Sequence, residues 1–141
     1  CCVVLVSACD HTFATNNSAI KLSEIAIGIG PFVIEPAVSR KIGKTAFTEM
    51  TLTPTLWKTA QWANEKGLFT EVFETIELLD ENLRNFTLEL SSYNPEALVE
   101  MKKVFWEGTN HWDSLLYERA SISGRLVLSN FTKQALEKFK K

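Results

Sequence analysis

The 141-residue chain is poor in the residues from which small domains build staples and metal sites. It has three cysteines, two of them adjacent at Cys1 and Cys2, so no disulfide framework can be drawn. That usage fits a reducing compartment, and the expected location is the cytoplasm. Two histidines, His11 and His111, stand a hundred residues apart with no ligand-like spacing to cysteines or acids, so no metal site is expected. Charge of one sign is also lacking. Fifteen Lys and Arg against seventeen Asp and Glu leave a net charge of -2, which argues against nucleic acid or an anionic membrane as partner. Long apolar runs are absent. Cys1 to Cys9 is apolar and ends Val6-Ser7-Ala8-Cys9, a superficial match to a lipoprotein cleavage site. It carries no basic segment in front, lies at the short limit for a signal core, and falls far below the ~20 residues of a membrane-spanning helix. With six glycines there is no phosphate-binding loop, dinucleotide fingerprint or nucleophile elbow. Asn16, Asn85 and Asn130 begin Asn-x-Ser/Thr triplets, which matter only in a secreted protein.

What the chain does have is apolar content and period. A hydrophobic share of 45% and aromatic share of 11% suffice for a core. Two short extended segments are expected around Asn16-Asn17-Ser18, and the second leads to Leu22-Ser23-Glu24. Glu35-Pro36 opens a helix with Ala37, Val38 and Ile42 on one side, ending at Gly43. Lys44 to Met50 predicts another, with Ala46, Phe47 and Met50 inward. After a break at Thr51 to Pro54, the recurrence of Trp57, Ala60 and Ala63 predicts a helix closed by Gly67. Leu68 to Phe73 alternates as a short strand.

The remainder reads as helix. Thr75 caps a stripe of Ile76, Leu79, Leu83, Phe86 and Leu90, and Asn94-Pro95-Glu96 starts a helix carrying Leu98, Met101 and Phe105 to Gly108. Asn110 is the expected cap of a further helix through Leu115, Leu116, Ala120 and Val127. A last helix from Phe131 carries Ala135, Leu136 and Phe139 in a basic tail with Lys133, Lys138, Lys140 and Lys141.

Glu24 is the residue with chemical promise. It is expected at the end of an extended segment, sharing a face with Leu22 while Ile25 and Ile27 take the other. A carboxylate in apolar surroundings has its charged form disfavoured, which suits a general acid or base.

Asp10, then Glu24 fourteen residues on, then Gly28 and Gly30-Pro31, resembles the enoyl-CoA hydratase/isomerase (crotonase) superfamily. The wording around Leu22-Ser23-Glu24 and Ile42-Gly43 is similar to bacterial members of the methylglutaconyl-CoA hydratase type. The resemblance reaches Lys141 but covers about the C-terminal half of the family's length, so a fragment is expected. It implies an α/β, crotonase-like fold with a few short strands followed by a helical trimerisation region. Residues 1–73 would be the partial core and residues 74–141 the C-terminal helical region.

The activity implied is hydration of an enoyl-CoA. Double-bond isomerisation, or a catalytically silent assembling fragment, is the alternative. Glu24 matches the catalytic glutamate, and the second carboxylate of the family's hydratases aligns with Val4, which cannot do acid–base work. Cys1 aligns with a glycine whose N–H is an oxyanion donor, a contact worth about 3–4 kcal/mol in the transition state. Lys138 falls where a basic contact to the CoA phosphates is implied. No cofactor is implied beyond coenzyme A as part of the substrate. The implied partners are the acyl-CoA and sister subunits, as a homotrimer or dimer of trimers.

Overall fold

In the computed structural model, which describes residues 2–138, the chain opens with helix α1 (Cys2–Ser7), whose last turn closes on itself. The Ser7 hydroxyl donates to the Val3 carbonyl at 2.7 Å, and both residues are buried. Strand β1 (Phe13–Thr15) follows, then a turn at Asn16-Asn17 and strand β2 (Ala19–Ile20). The two expected extended segments are there, but they pair elsewhere. Strand β1 lies parallel to β4 (Glu71–Phe73), with Ala14 opposite Val72, and β2 lies antiparallel to β3 (Lys58–Thr59).

Hydrogen bonds outside the ladders fix the parallel pair. The Thr12 hydroxyl donates to the Leu68 carbonyl at 2.7 Å, and the Thr70 N–H donates to the Thr12 carbonyl at 2.8 Å. The alternation from Leu68 therefore becomes strand only at Glu71. Before that, Leu68 and Phe69 are buried in the turn after α3.

Helix α2 (Glu35–Leu52) joins the two helices expected on either side of Gly43. Gly43 has φ 77° and ψ 160°, a conformation favouring glycine, and it kinks the axis instead of ending the helix. Ala37, Val38, Ile42, Ala46 and Met50 all face inward, as the sequence pattern requires. Against them pack Val3 of α1, Leu22, Ala60 and Ala63 of α3 (Ala60–Glu65), and Leu68. Fully buried side chains such as Met50, Leu68 and Val38 each contribute about 1.5–3 kcal/mol.

Helix α3 is shorter than expected. Thr59 is the residue that caps it, its hydroxyl accepting from the Trp62 N–H at 3.1 Å. Pairing of Lys58 and Thr59 with β2 holds the preceding residues extended, so Trp57 lies before the helix and is 61% exposed. The Trp57 ring stacks under Lys21, whose Nζ is 4.4 Å from its centre.

The C-terminal helices are α4 (Ile76–Ser91), α5 (Pro95–Phe105), α6 (Trp112–Val127) and α7 (Asn130–Lys138). Thr75 caps α4 through the Leu78 N–H, and Asn94 caps α5 through the Glu96 and Ala97 N–H groups. The start of α6 departs from expectation: His111, without a side-chain bond, holds the cap position in place of Asn110. The apolar stripes of α4 and α5 exist, yet neither helix buries a residue fully; Ile76, Leu83, Leu98 and Phe105 remain exposed. Phe139, expected on the last helix, lies outside the described residues, as do Lys140 and Lys141.

Candidate active site

Glu24 does not end a strand. It begins a single 3₁₀ turn, Glu24–Ile27, because the β2–β3 ladder stops at Ile20 and Gly28 closes the chain behind it. Gly28 takes the left-handed conformation, φ 82° and ψ 14°, and its N–H donates to the Ile25 carbonyl at 3.1 Å. The Ile29 N–H donates to the Glu24 carbonyl, also at 3.1 Å. Leu22 anchors the entry to the turn at 2% exposure and Pro31 is buried at its exit. The shared face of Leu22 and Glu24 is thus replaced by a turn, with Ile25 and Ala26 outward and Ile27 half-buried.

The carboxylate itself is half-buried. Its Oε2 is buried and has no hydrogen-bond partner in the protein. Buried polar atoms are nearly always paired, so an unpaired carboxylate oxygen at a turn held by two backbone bonds is notable. Such an oxygen can accept a proton from, or return one to, a group brought beside it.

Two cavities flank the turn, and Glu24 lines neither. One, of about 480 Å³, is bounded by Lys21, Ser23, Ala26, Ile27, Pro54 and Leu136. The other, about 270 Å³, meets Ile25, Gly30, Phe32, Glu35, Lys44 and Arg119.

Glu35, at the second cavity, is an ionised side chain the sequence reading passed over. It is 7% exposed, accepts a hydrogen bond from the Lys44 ammonium, and lies 3.1 Å from the Arg119 guanidinium of α6. Burial alone would raise its pKa. The hydrogen bond from Lys44 and the charges of Lys44 and Arg119 outweigh burial and hold it below the usual 4.5. The position of Glu35 in the first turn of α2 also favours the anion. The i to i+9 spacing of Glu35 and Lys44 across the Gly43 kink carries no local signal, and Arg119 is 84 residues away.

Asp10 anchors a second polar cluster, beyond the end of α1. It accepts from the Lys102 ammonium and from Trp106 Nε1 at 2.7 Å, while Arg40 stacks 4.0 Å from the centre of the Trp106 ring. Lys41 donates to the Val6 carbonyl in the last turn of α1 at 2.9 Å and to the Cys9 carbonyl just beyond it at 2.8 Å.

The remaining expected site residues are placed as follows. Val4, expected from the resemblance at the position of a second carboxylate, is half-buried in α1. Cys1 lies outside the described residues. Lys138 is exposed at the end of α7, two residues beyond Leu136 of the first cavity. His11 stacks on Phe86 with ring centres 4.4 Å apart, and its Nε2 is 3.4 Å from Glu71. Among the described residues no group of three or more His, Cys, Asp or Glu side chains is placed to hold a metal ion. No helix among them is long and apolar enough to cross a membrane.

The enoyl-CoA hydratase/isomerase family profile matches residues 2–137, nearly the whole chain. The chain belongs to the enoyl-CoA hydratase/isomerase family. No curated protein matches the sequence. Solved structures do. An enoyl-CoA hydratase from Mycobacterium avium superposes with a TM-score of 0.88 at 26% identity, covering 97% of this chain and 53% of its own. One from Bacillus halodurans gives 0.87 at 22% identity, over 96% and 55%. An enoyl-CoA hydratase/isomerase from Pseudoalteromonas atlantica T6c gives 0.85 at 18% identity, over 97% and 55%. At these identities the last two speak to the fold, which is crotonase-like α/β, mostly helical with a few short strands. The chain spans about half the length of the solved hydratases it matches.

Proposed function

We propose that this chain carries the acid–base residue, Glu24, of an enzyme that hydrates an enoyl-CoA. The observation that carries the reading is the buried, unpartnered Oε2 of Glu24, on a turn that lies within the segment the family profile matches. In the proposed reaction the carboxylate takes a proton from water as the water oxygen bonds to the β-carbon. The double-bond electrons move toward the thioester oxygen, where backbone N–H groups hold the developing charge. The proton then returns to the α-carbon, leaving Glu24 ionised again. The sequence wording around Leu22-Ser23-Glu24 supports a branched acyl chain of the methylglutaconyl type.

A second reading is favoured by Val4. An apolar side chain at the position of the second carboxylate suits double-bond isomerisation, in which one carboxylate moves a proton between two carbons. Product analysis with a 2-enoyl-CoA and a 3-enoyl-CoA separates the two: hydration yields a 3-hydroxyacyl-CoA, isomerisation the shifted alkene.

The same reading makes the assembled protein a cytoplasmic homotrimer or dimer of trimers. The exposed stripes of α4 and α5 would supply contact surface, and Lys138 would sit near the CoA phosphates. The 141-residue chain by itself is expected to be inactive, since relatives are about twice as long. The test is Glu24→Gln in the full-length protein. The substitution keeps shape and polarity but cannot move a proton, so kcat should fall on the order of 10²–10⁴-fold with KM little changed. Near-full kcat would show Glu24 to be structural and remove the proposal.

A further inference from the structure

The 3₁₀ turn that carries Glu24 is not held by its own two backbone bonds alone. Its closing residue, Gly28, is roofed by α7 of the same chain. A Cβ at Gly28 would lie 2.5 Å from Phe131 Cδ1 and 2.7 Å from Thr132 Oγ1, closer than real Cβ contacts come. The backbone of the turn therefore packs directly against the Phe131 and Thr132 side chains of α7, with no room for a Cβ between. Gly28 is needed here twice over, for its positive φ and for this approach.

The helix side of the contact is fixed just as firmly. Thr132 is 0% exposed, the single buried residue of α7. Its hydroxyl donates to the Leu126 carbonyl at 3.0 Å, near the end of α6, and the Ser129 hydroxyl bonds to it at 3.1 Å. The Thr132 N–H in turn donates to Ser129 Oγ at 3.2 Å. Leu126, Ser129 and Thr132 thus lock the α6–α7 corner and set where α7 meets Gly28. From Gly28 to the carboxylate the path is short. The Gly28 and Ile29 N–H groups bond back to Ile25 and Glu24, so a shift of Gly28 tilts the residue that bears the carboxylate. The larger flanking cavity shares this construction, lined by Ser23, Ala26 and Ile27 of the turn region and by Leu136 of α7.

We infer that α7 sets the attitude of Glu24 from within the same chain, with Thr132 and Phe131 as positioning residues acting through Gly28. This rests on the reading of Glu24 as the acid–base group for its catalytic consequence, but not for its structural content. The order of causes is testable because Phe131 and Thr132 are 107 and 108 positions from Glu24 and are not offered as touching substrate.

The experiment compares Thr132→Val and Phe131→Ala with Lys133→Ala, a change on the exposed side of α7. Two readouts are taken. One is the ¹³C signal of the Glu24 side-chain carboxyl, assigned by Glu24→Gln, with hydrogen exchange of the Ile29 amide beside it, in the 141-residue chain. The other is kcat and KM of the full-length protein with a 2-enoyl-CoA.

Thr132→Val and Phe131→Ala should displace the Glu24 carboxyl signal and speed Ile29 exchange, while the amides of Ala46 and Met50 keep their protection and Lys133→Ala changes none of these. In the full-length protein kcat should drop about 10–100-fold at little-changed KM, the scale of a slight misplacement of a reacting group. An unmoved Glu24 signal in both α7 variants overturns the inference, whatever the turnover. Equal loss of protection at Ala46 and Met50 overturns it too, since α7 would then be general scaffold. A moved signal together with full activity of Glu24→Gln keeps the positioning and removes the catalytic reading instead.

Discussion

Replacing Glu35 by Gln should destabilise the fold by about 2 kcal/mol at neutral pH, and the reason lies in which partners can reach water. The Glu35 side chain is 9% exposed, Arg119 27% and Lys44 75%. Lys44 regains full hydration when its partner is neutralised, so its contact is worth little, under about 1 kcal/mol. Arg119 cannot, and a charge-assisted hydrogen bond lost from a largely covered group costs about 1.5–3 kcal/mol. The fully buried limit of 3–5 kcal/mol does not apply, because Arg119 still touches solvent. Arg119→Met should cost less, about 1 kcal/mol, since Lys44 continues to neutralise the carboxylate. The double variant Glu35→Gln/Arg119→Met should then be more stable than the two single losses add to, by about 1 kcal/mol. The pH dependence has a definite sign. Glu35 is held below 4.5, so its stabilisation is present above the unfolded value and disappears as pH falls through the folded one. The coupling measured by urea denaturation at pH 7 should therefore shrink toward zero in strong acid. Strict additivity at pH 7, or a coupling that grows on acidification, would refute the account of Glu35 as the ionised link between α2 and α6.

Asp10 predicts a second acid-sensitive link. Burial raises its pKa, but hydrogen bonds from Lys102 and Trp106 and the charges of Lys102 and Arg40 hold it below 3.8. Lys102→Met should move the acid-unfolding midpoint to higher pH, and an unchanged midpoint would deny the pair a role. Lys41→Met removes the ammonium from the Val6 and Cys9 carbonyls, of which Val6 keeps the Cys9 N–H at 3.3 Å, and should cost about 1 kcal/mol in denaturation. Burial lowers the Lys41 pKa, so the wild type should gain stability as pH rises through the folded value toward 10.5, a gain absent from Lys41→Met. Lys138→Ala in the full-length protein should weaken CoA binding by about 1 kcal/mol at low salt and by less at high salt. Equal affinity would return Lys138 to an exposed helix end.

Residue pattern carried the helices further than the site. The inward set Ala37, Val38, Ile42, Ala46 and Met50 was readable because a 3.6-residue period survives the Gly43 kink. The caps Thr75 and Asn94 were readable because their chemistry is local. Trp57 was misplaced because periodicity cannot see that Lys58 and Thr59 will be claimed by β2, whose partner is decided across the fold. Glu24 shows the same limit at closer range. Leu22, Glu24, Ile25 and Ile27 alternate like a strand, yet a two-residue ladder leaves them unpaired, and the Gly28 conformation turns them into 3₁₀.

The charged residues were the least legible, and for a different reason. Glu35 finds Arg119 and Asp10 finds Lys102 across 84 and 92 residues, and no spacing rule reaches that far. Both links tie the core of α1 and α2 to helices whose apolar stripes stay largely exposed. A stripe on α2 and a stripe on α4 have the same period, but α2 is covered by α1 and the 3₁₀ turn, whereas α4 rests its inner edge on β1 and β4. Helices fastened to their core by a few ion pairs and aromatic stacks, with little buried apolar area, should separate from it first when charge is removed. In acid, then, protection of α5 and α6 amides should be lost before that of Val38 and Met50, because Asp10 and Glu35 titrate while apolar burial does not. Simultaneous loss at all four places would mean that the core itself depends on those carboxylates, and the division of labour between charge and burial argued from Glu35 would fall.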